Sequence, residues 1–101
     1  MILLFDIGNS NIVLGLADND NVIKSYRYDS IVSKTSDEYY LQMKEVFKDY
    51  HIEGAIIGSV VPILTSAIKK MVLNHLDIEP LMIGYGLKTS PRALLIQGLC
   101  L

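Results

Sequence analysis

The order in which strand-like and helix-like stretches follow one another constrains this sequence more than any single residue does. Ile2 to Ile7 is almost continuously apolar, the pattern of a strand buried on both faces. Asn11 to Ala17, with branched Ile12 and Val13, reads as a second strand. "DNDN" at 18–21 is a turn signal, and Val22 to Tyr28 reads as a third strand with weaker alternation. The period then changes. Thr35, Ser36, Asp37 and Glu38 match a capping box, in which a hydroxyl takes a free helix amide and an acid three residues on reaches back. Behind it, Tyr39, Met43, Val46, Phe47 and Tyr50 recur on one helical face. Gly54 to Val61 reads as a short buried strand. Pro62 suits the first position of a second helix, where its missing N–H costs nothing. Leu64, Ala67, Ile68, Met71, Val72 and His75 form that helix's apolar face, and Pro80 to Gly86 reads as a last strand.

The expected fold is therefore α/β with the order βββαβαβ. An antiparallel meander feeds a section in which strands alternate with helices and must pair in parallel. That is the layout of the ribonuclease-H-like domain, which the sugar kinase, heat-shock and actin ATPases use twice in each chain. At 101 residues, half of them hydrophobic, the chain has the length of one domain and a globular composition. A net charge of −2 and a pI near 5.5 give no basic surplus for a nucleic-acid partner. The apolar N-terminus has no basic residue before Ile2 and meets an acid at position 6, so it does not read as a signal peptide. No apolar run approaches the ~20 residues that cross a bilayer. Cys100 is the single cysteine, which fits a reducing, cytoplasmic setting.

Asp6 carries the main chemical expectation. It ends the first strand and is followed by Gly8, Asn9, Ser10 and Asn11. Gly8 permits close backbone approach and a positive φ. The amides of 8–11 can form a concavity for an anion, with Asn9 and Ser10 adding side-chain donors. A carboxylate beside that concavity repels phosphate unless a cation lies between, and Mg²⁺ is held by one or two carboxylates, water and phosphate oxygens. A plainer account is a hairpin whose Asp6 bonds turn amides. Against it stands the cost of desolvating an unpaired acid directly after an apolar run.

"DIGNSNIVLGL" resembles the first phosphate motif of the type III pantothenate kinases, Asp-x-Gly-Asn-Thr/Ser followed by a strand. "SKTSDEYY" at 33–40 is similar to that family's Lys-Thr-x-Asp-Glu segment, "GSVVP" at 58–62 to its Ser-Ser-Val-Val-Pro loop, and "GYGLKT" at 84–89 to Gly-x-Gly-Ile/Leu-Lys-Thr. The resemblance implies ATP-dependent phosphorylation of pantothenate in coenzyme A biosynthesis. It implies Mg-ATP phosphates on Asp6, Ile7, Gly8, Asn9, Ser10, Asn11, Ile12 and Val13, with Asp6 holding Mg²⁺ through water. It also implies a monovalent cation such as potassium and a homodimer. The family continues into a Gly-Ala-Asp-Arg segment whose aspartate serves as base, whereas here Thr89 is followed by "SPRALLIQGLCL". The expected division is an N-terminal ATPase-type lobe at 1–89 and a divergent apolar tail at 90–101. The resemblance leads to the expectation that the second lobe is absent, that no catalytic residue lies within the chain, and that the chain is inactive alone.

The alternative is a non-catalytic nucleotide- or partner-binding module. A nuclease is disfavoured, because two-metal chemistry needs gathered carboxylates and Asp6 is the lone strand-end acid. Lys34 and Lys88 read as solvated lysines, Ser59 as a helix-start ligand, His51 as the end of the first helix and His75 as packing. Tyr39, Tyr40 and Tyr50 read as core or boundary residues, and no zinc-type Cys/His spacing occurs. A mean hydropathy of +0.34 and the apolar tail lead to an expectation of self-association.

Overall fold

The computed structural model describes residues 1–19 and 21–83. The elements follow the expected order: β1 (Ile2–Ile7), β2 (Asn11–Asp18), β3 (Asn21–Asp29), α1 (Ser36–Phe47), β4 (Gly54–Ser59), α2 (Pro62–Met71) and β5 (Leu81–Ile83). Five strands form one sheet in the order β3-β2-β1-β4-β5. β1–β2 and β2–β3 are antiparallel, while β1–β4 and β4–β5 are parallel. The expected residues beyond Ile83 in the last strand, like Lys88 and Cys100, lie outside the described residues.

Strand alternation divides the sheet into two unequal faces. Leu3, Phe5 and Ile7 of β1, Ile12, Leu14 and Leu16 of β2, and Ala55 and Ile57 of β4 point to one side. There they meet Tyr39, Met43, Val46 and Phe47 of α1 and Leu64, Ile68 and Met71 of α2. Both helices thus cover the same face. Each large apolar side chain buried there contributes about 1.5–3 kcal/mol. The opposite face holds a smaller cluster of Leu4, Ala17 and Ile56, bordered by Ile2, Val22 and Ile83. β1 is accordingly buried on both sides from Leu3 to Phe5, as its unbroken apolar run requires.

The capping box at α1 is complete. Glu38 N–H donates to Thr35 Oγ1 at 3.2 Å and Thr35 N–H donates to Glu38 Oε1 at 2.9 Å. α1 ends at Phe47 with Lys48 as its cap, so His51 lies beyond the helix rather than at its end. Helix α2 runs on into a π-helical turn, Val72–Leu76, which stops at Asp77 with φ 56°. His75 on that turn is not in the core. Its ring stacks on Tyr40 at 3.9 Å and 5°, and its Nε2 lies 2.9 Å from Asp37 Oδ1, joining the two helices at their outer edge. Tyr39 is fully buried, while Tyr40 and Tyr50 sit at the core boundary. Among the described residues no helix is long and apolar enough to cross a membrane.

Candidate functional site

The carboxyl ends of β1 and β4 lie side by side, with Asp6 beside Gly58 and Ile7 beside Ser59. In open α/β sheets this is the edge at which ligands collect. Three pieces of backbone meet here: the β1–β2 turn, the β3–α1 loop and the start of α2.

Asp6 shares its parity with Leu4, so it stands on the face away from the helices, half-buried, with Val13 opposite on β2. On its β4 side Gly58 presents only backbone. The turn that follows closes through Gly8 N–H, which donates to Asn11 O at 2.9 Å. A Cβ on Gly8 would stand 3.3 Å from that same oxygen, a tight contact, so close approach favours glycine. A positive φ is not the reason: Gly8 lies outside the left-handed region, contrary to one part of the expectation.

Asn9 and Ser10 are exposed at the tip. The side chain of Asn11 is engaged in the sheet: Nδ2 donates to Tyr28 O at 3.5 Å, and Oδ1 accepts from Arg27 Nη1 at 3.3 Å. The side chains of Ile7 and Ile12 are fully buried in the helix-side core, which leaves only their backbone to face a ligand. Val13 is half-buried opposite Asp6.

Two neighbouring segments hold the turn. Ser30 N–H donates to Ser10 O at 2.9 Å, and Ser30 Oγ donates to Gly8 O at 2.7 Å. Val60 N–H donates to Ile7 O at 3.1 Å, which brings the residue just before α2 against the end of β1. Ser59 behaves as its position suggests, with Oγ accepting from Val61 N–H at 2.9 Å. No acid occupies the first turn of α2. Its amides therefore add partial positive charge to this edge.

Lys34 is drawn elsewhere: Nζ donates to Gln42 Oε1 at 2.8 Å and lies 5.2 Å from the centre of the Tyr39 ring. Two contributors to the turn, Ser30 and Arg27, carry no sequence motif of their own. Among the described residues no three His, Cys, Asp or Glu side chains gather as a metal cage. A half-buried acid beside backbone donors does fit a magnesium ion that arrives with its own phosphates and water.

The fold defines the class of protein: an α/β lobe of ribonuclease-H-like fold. The crystal structure of the "Putative N-acetylglucosamine Kinase" of Porphyromonas gingivalis matches 83% of this chain and 34% of its own, with a TM-score of 0.58 at 13% identity, a likeness of fold alone. The chain belongs to the type III pantothenate kinase family, whose model matches residues 2–95. It is 43% identical over 95 residues to the type III pantothenate kinase of Geotalea daltonii and 38% over 90 residues to that of Acholeplasma laidlawii. Each match takes in 89% of this chain, which spans 37% and 36% of those relatives' length.

Proposed function

We propose that this chain supplies the phosphate-holding lobe for ATP-dependent phosphorylation of pantothenate. In this reading residues 1–89 are the working lobe and 90–101 lie outside it. The observation that carries the proposal is the pairing of a half-buried acid, Asp6, with a backbone turn that ends the same strand. Phosphoryl transfer asks little covalent chemistry of a protein and much positioning and charge neutralisation. Here the backbone of Gly8 to Asn11 would hold phosphoryl oxygens, with Asn9 and Ser10 offering side-chain donors. Asp6 would orient the waters of a magnesium ion. Bound magnesium would supply neutralisation of the phosphate charge. Arg27, whose Nη1 donates to Asn11 Oδ1 at 3.3 Å, brings a cation to the rim of the turn.

The proton of the substrate hydroxyl needs a base, and no Gly-Ala-Asp-Arg segment is present in this sequence. The proposal therefore includes no turnover by this chain alone. Potassium belongs to the family resemblance, and no described residue is assigned to it. The proposal also covers cytoplasmic location and association with a second copy. The latter is supported by exposed Leu41, Val60 and Ile63.

Titrating the chain with Mg-ATP under ¹H–¹⁵N NMR tests the site. The amides of Gly8 to Asn11 are expected to move first. Asp6→Asn is expected to weaken binding of Mg-ATP more than binding of metal-free phosphate, because the partner of Asp6 is the cation. Equal weakening of both would remove magnesium from the role of Asp6. Binding at these amides with no turnover by an assembled enzyme would favour a non-catalytic module.

A further inference from the structure

The β1–β2 turn is made of backbone, so what it binds depends on which way its peptide planes face. In a trans peptide the C=O of one residue and the N–H of the next lie in one plane and point in opposite directions. Fixing a carbonyl therefore aims the amide that follows it. Two carbonyls of this turn are fixed, and by the same residue. Gly8 O accepts from Ser30 Oγ at 2.7 Å, and Ser10 O accepts from Ser30 N–H at 2.9 Å. Both carbonyls are drawn toward Ser30. The N–H groups of Asn9 and Asn11, which share those two peptide planes, must then point away from it together.

Ser30 is itself held. The next residue, Ile31, donates its N–H to Tyr39 Oη at 3.0 Å and accepts from that hydroxyl at 3.1 Å. Tyr39 is fully buried in the core. The orientation of the turn is thus transmitted from the core through Tyr39, Ile31 and Ser30. The 2.7 Å separation is that of a well-formed O–H···O bond.

We infer that Ser30 is a positioning residue for the phosphate site: by holding the carbonyls of Gly8 and Ser10 it aims the amides of Asn9 and Asn11 at a phosphoryl group. It touches no ligand in this role. Its hydroxyl also keeps the Gly8 carbonyl from turning toward the anion, where it would repel it. The inference rests on the reading of the turn as a phosphate site, and it goes beyond that reading by naming what sets the direction of the amides. Successive backbone N–H groups on one side of a turn can form an anion-binding concavity.

The test uses the 101-residue chain and Mg-ATP as probe, read by ¹H–¹⁵N NMR, in the wild type and in Ser30→Thr, Ser30→Val and Ser30→Ala. Threonine and valine have the same shape and differ by the hydroxyl, so their comparison isolates the bond to Gly8 O. Ser30→Thr is expected to bind within about twofold of wild type, and Ser30→Val and Ser30→Ala roughly fivefold more weakly, the scale of one net hydrogen bond. The ligand-induced shifts of Asn9 and Asn11 should shrink more than those of other amides. Val72→Ala, which removes buried methyls at the end of α2 away from the turn, should destabilise the fold yet bind Mg-ATP as wild type does. That result separates positioning from loss of stability. Equal binding by Ser30→Val and Ser30→Thr, with the wild-type turn amides still shifting, overturns the inference and leaves the phosphate reading standing. Wild-type turn amides that stay still at saturating Mg-ATP overturn the reading itself, and the role of Ser30 with it.

Discussion

Replacing Gly8 with alanine separates two things a turn glycine can do. The added Cβ would lie 3.3 Å from Asn11 O, 0.1 Å inside the 3.4 Å at which ordinary contact begins. The oxygen cannot retreat without stretching the 2.9 Å bond it accepts from Gly8 N–H. Weakening that bond costs at most about 1 kcal/mol, since a whole hydrogen bond is worth about 0.5–1.5 kcal/mol net. Gly8 does not need a positive φ, so alanine is conformationally allowed and restricts the unfolded chain. That restriction stabilises by about 0.4–1 kcal/mol. The two effects nearly cancel, so Gly8→Ala should move the melting temperature by no more than a few degrees. Binding should respond more strongly, because the shifted oxygen belongs to the residue whose amide is aimed at the phosphate. Thermal unfolding by circular dichroism, paired with Mg-ATP titration, reads both. A loss of roughly 10 °C or more, well beyond what ~1 kcal/mol gives for a domain of this size, would refute the account of Gly8 as close-packed but unstrained. Unchanged stability with unchanged binding would show that the turn has slack.

Further outcomes are expected. A coupled ADP-release assay with pantothenate, ATP, Mg²⁺ and potassium should show no turnover by this 101-residue chain, and turnover that disappears in Asp6→Ala would show a base within it. Thr35→Ala should cost about 1 kcal/mol in urea unfolding, the usual value of an N-cap hydroxyl, and no loss would mean that α1 is held by packing alone. The Thr35 N–H donated to Glu38 holds that carboxyl below its ordinary value of 4.5. Its stabilisation is present above that value and is lost as pH falls through the lower folded value, so Glu38→Gln should flatten the stability curve on the acid side. Light scattering over a concentration series should show self-association. Leu41, Val60 and Ile63 are 62%, 50% and 63% exposed, and a chain that stays monomeric would remove these residues as an interface.

What the sequence made legible was whatever has a local signature. The switch from strand to helix period, the capping box and the buried face of α1 all lie within a few residues of their causes. Asp6 and the turn were visible because an acid after an apolar run is conspicuous. Contacts between distant segments were not visible. Arg27 reaches Asn11 across 16 residues and Ser30 reaches Gly8 across 22, and no spacing rule links such pairs. β4 ends at Ser59 although the apolar run continues to Val61, because Val60 turns its N–H to Ile7 and Val61 caps α2. His75 has a helical-face position, yet the widened turn that carries it places its ring on Tyr40 instead of in the core. The side chains of Ile7 and Ile12 lie in the core because strand alternation inside a motif assigns every second residue to packing.

The bond from Val60 N–H to Ile7 O bears on when this site comes into being during synthesis. The turn's own four residues are made together, but its supports are made much later. Ser30 follows Gly8 by 22 residues, and Val60 follows Ile7 by 53. A chain emerging from the ribosome would carry Asp6 and Gly8 to Asn11 through most of the translation of this lobe without the partners that orient them. Closing such long loops is entropically costly until the sheet and α2 supply contacts that offset it. Amide exchange in the finished lobe should carry the same imprint: Val60 is half exposed, yet its amide, bonded to Ile7 O, should exchange slowly, because releasing it means separating the start of α2 from the end of β1 and not merely fraying a hairpin.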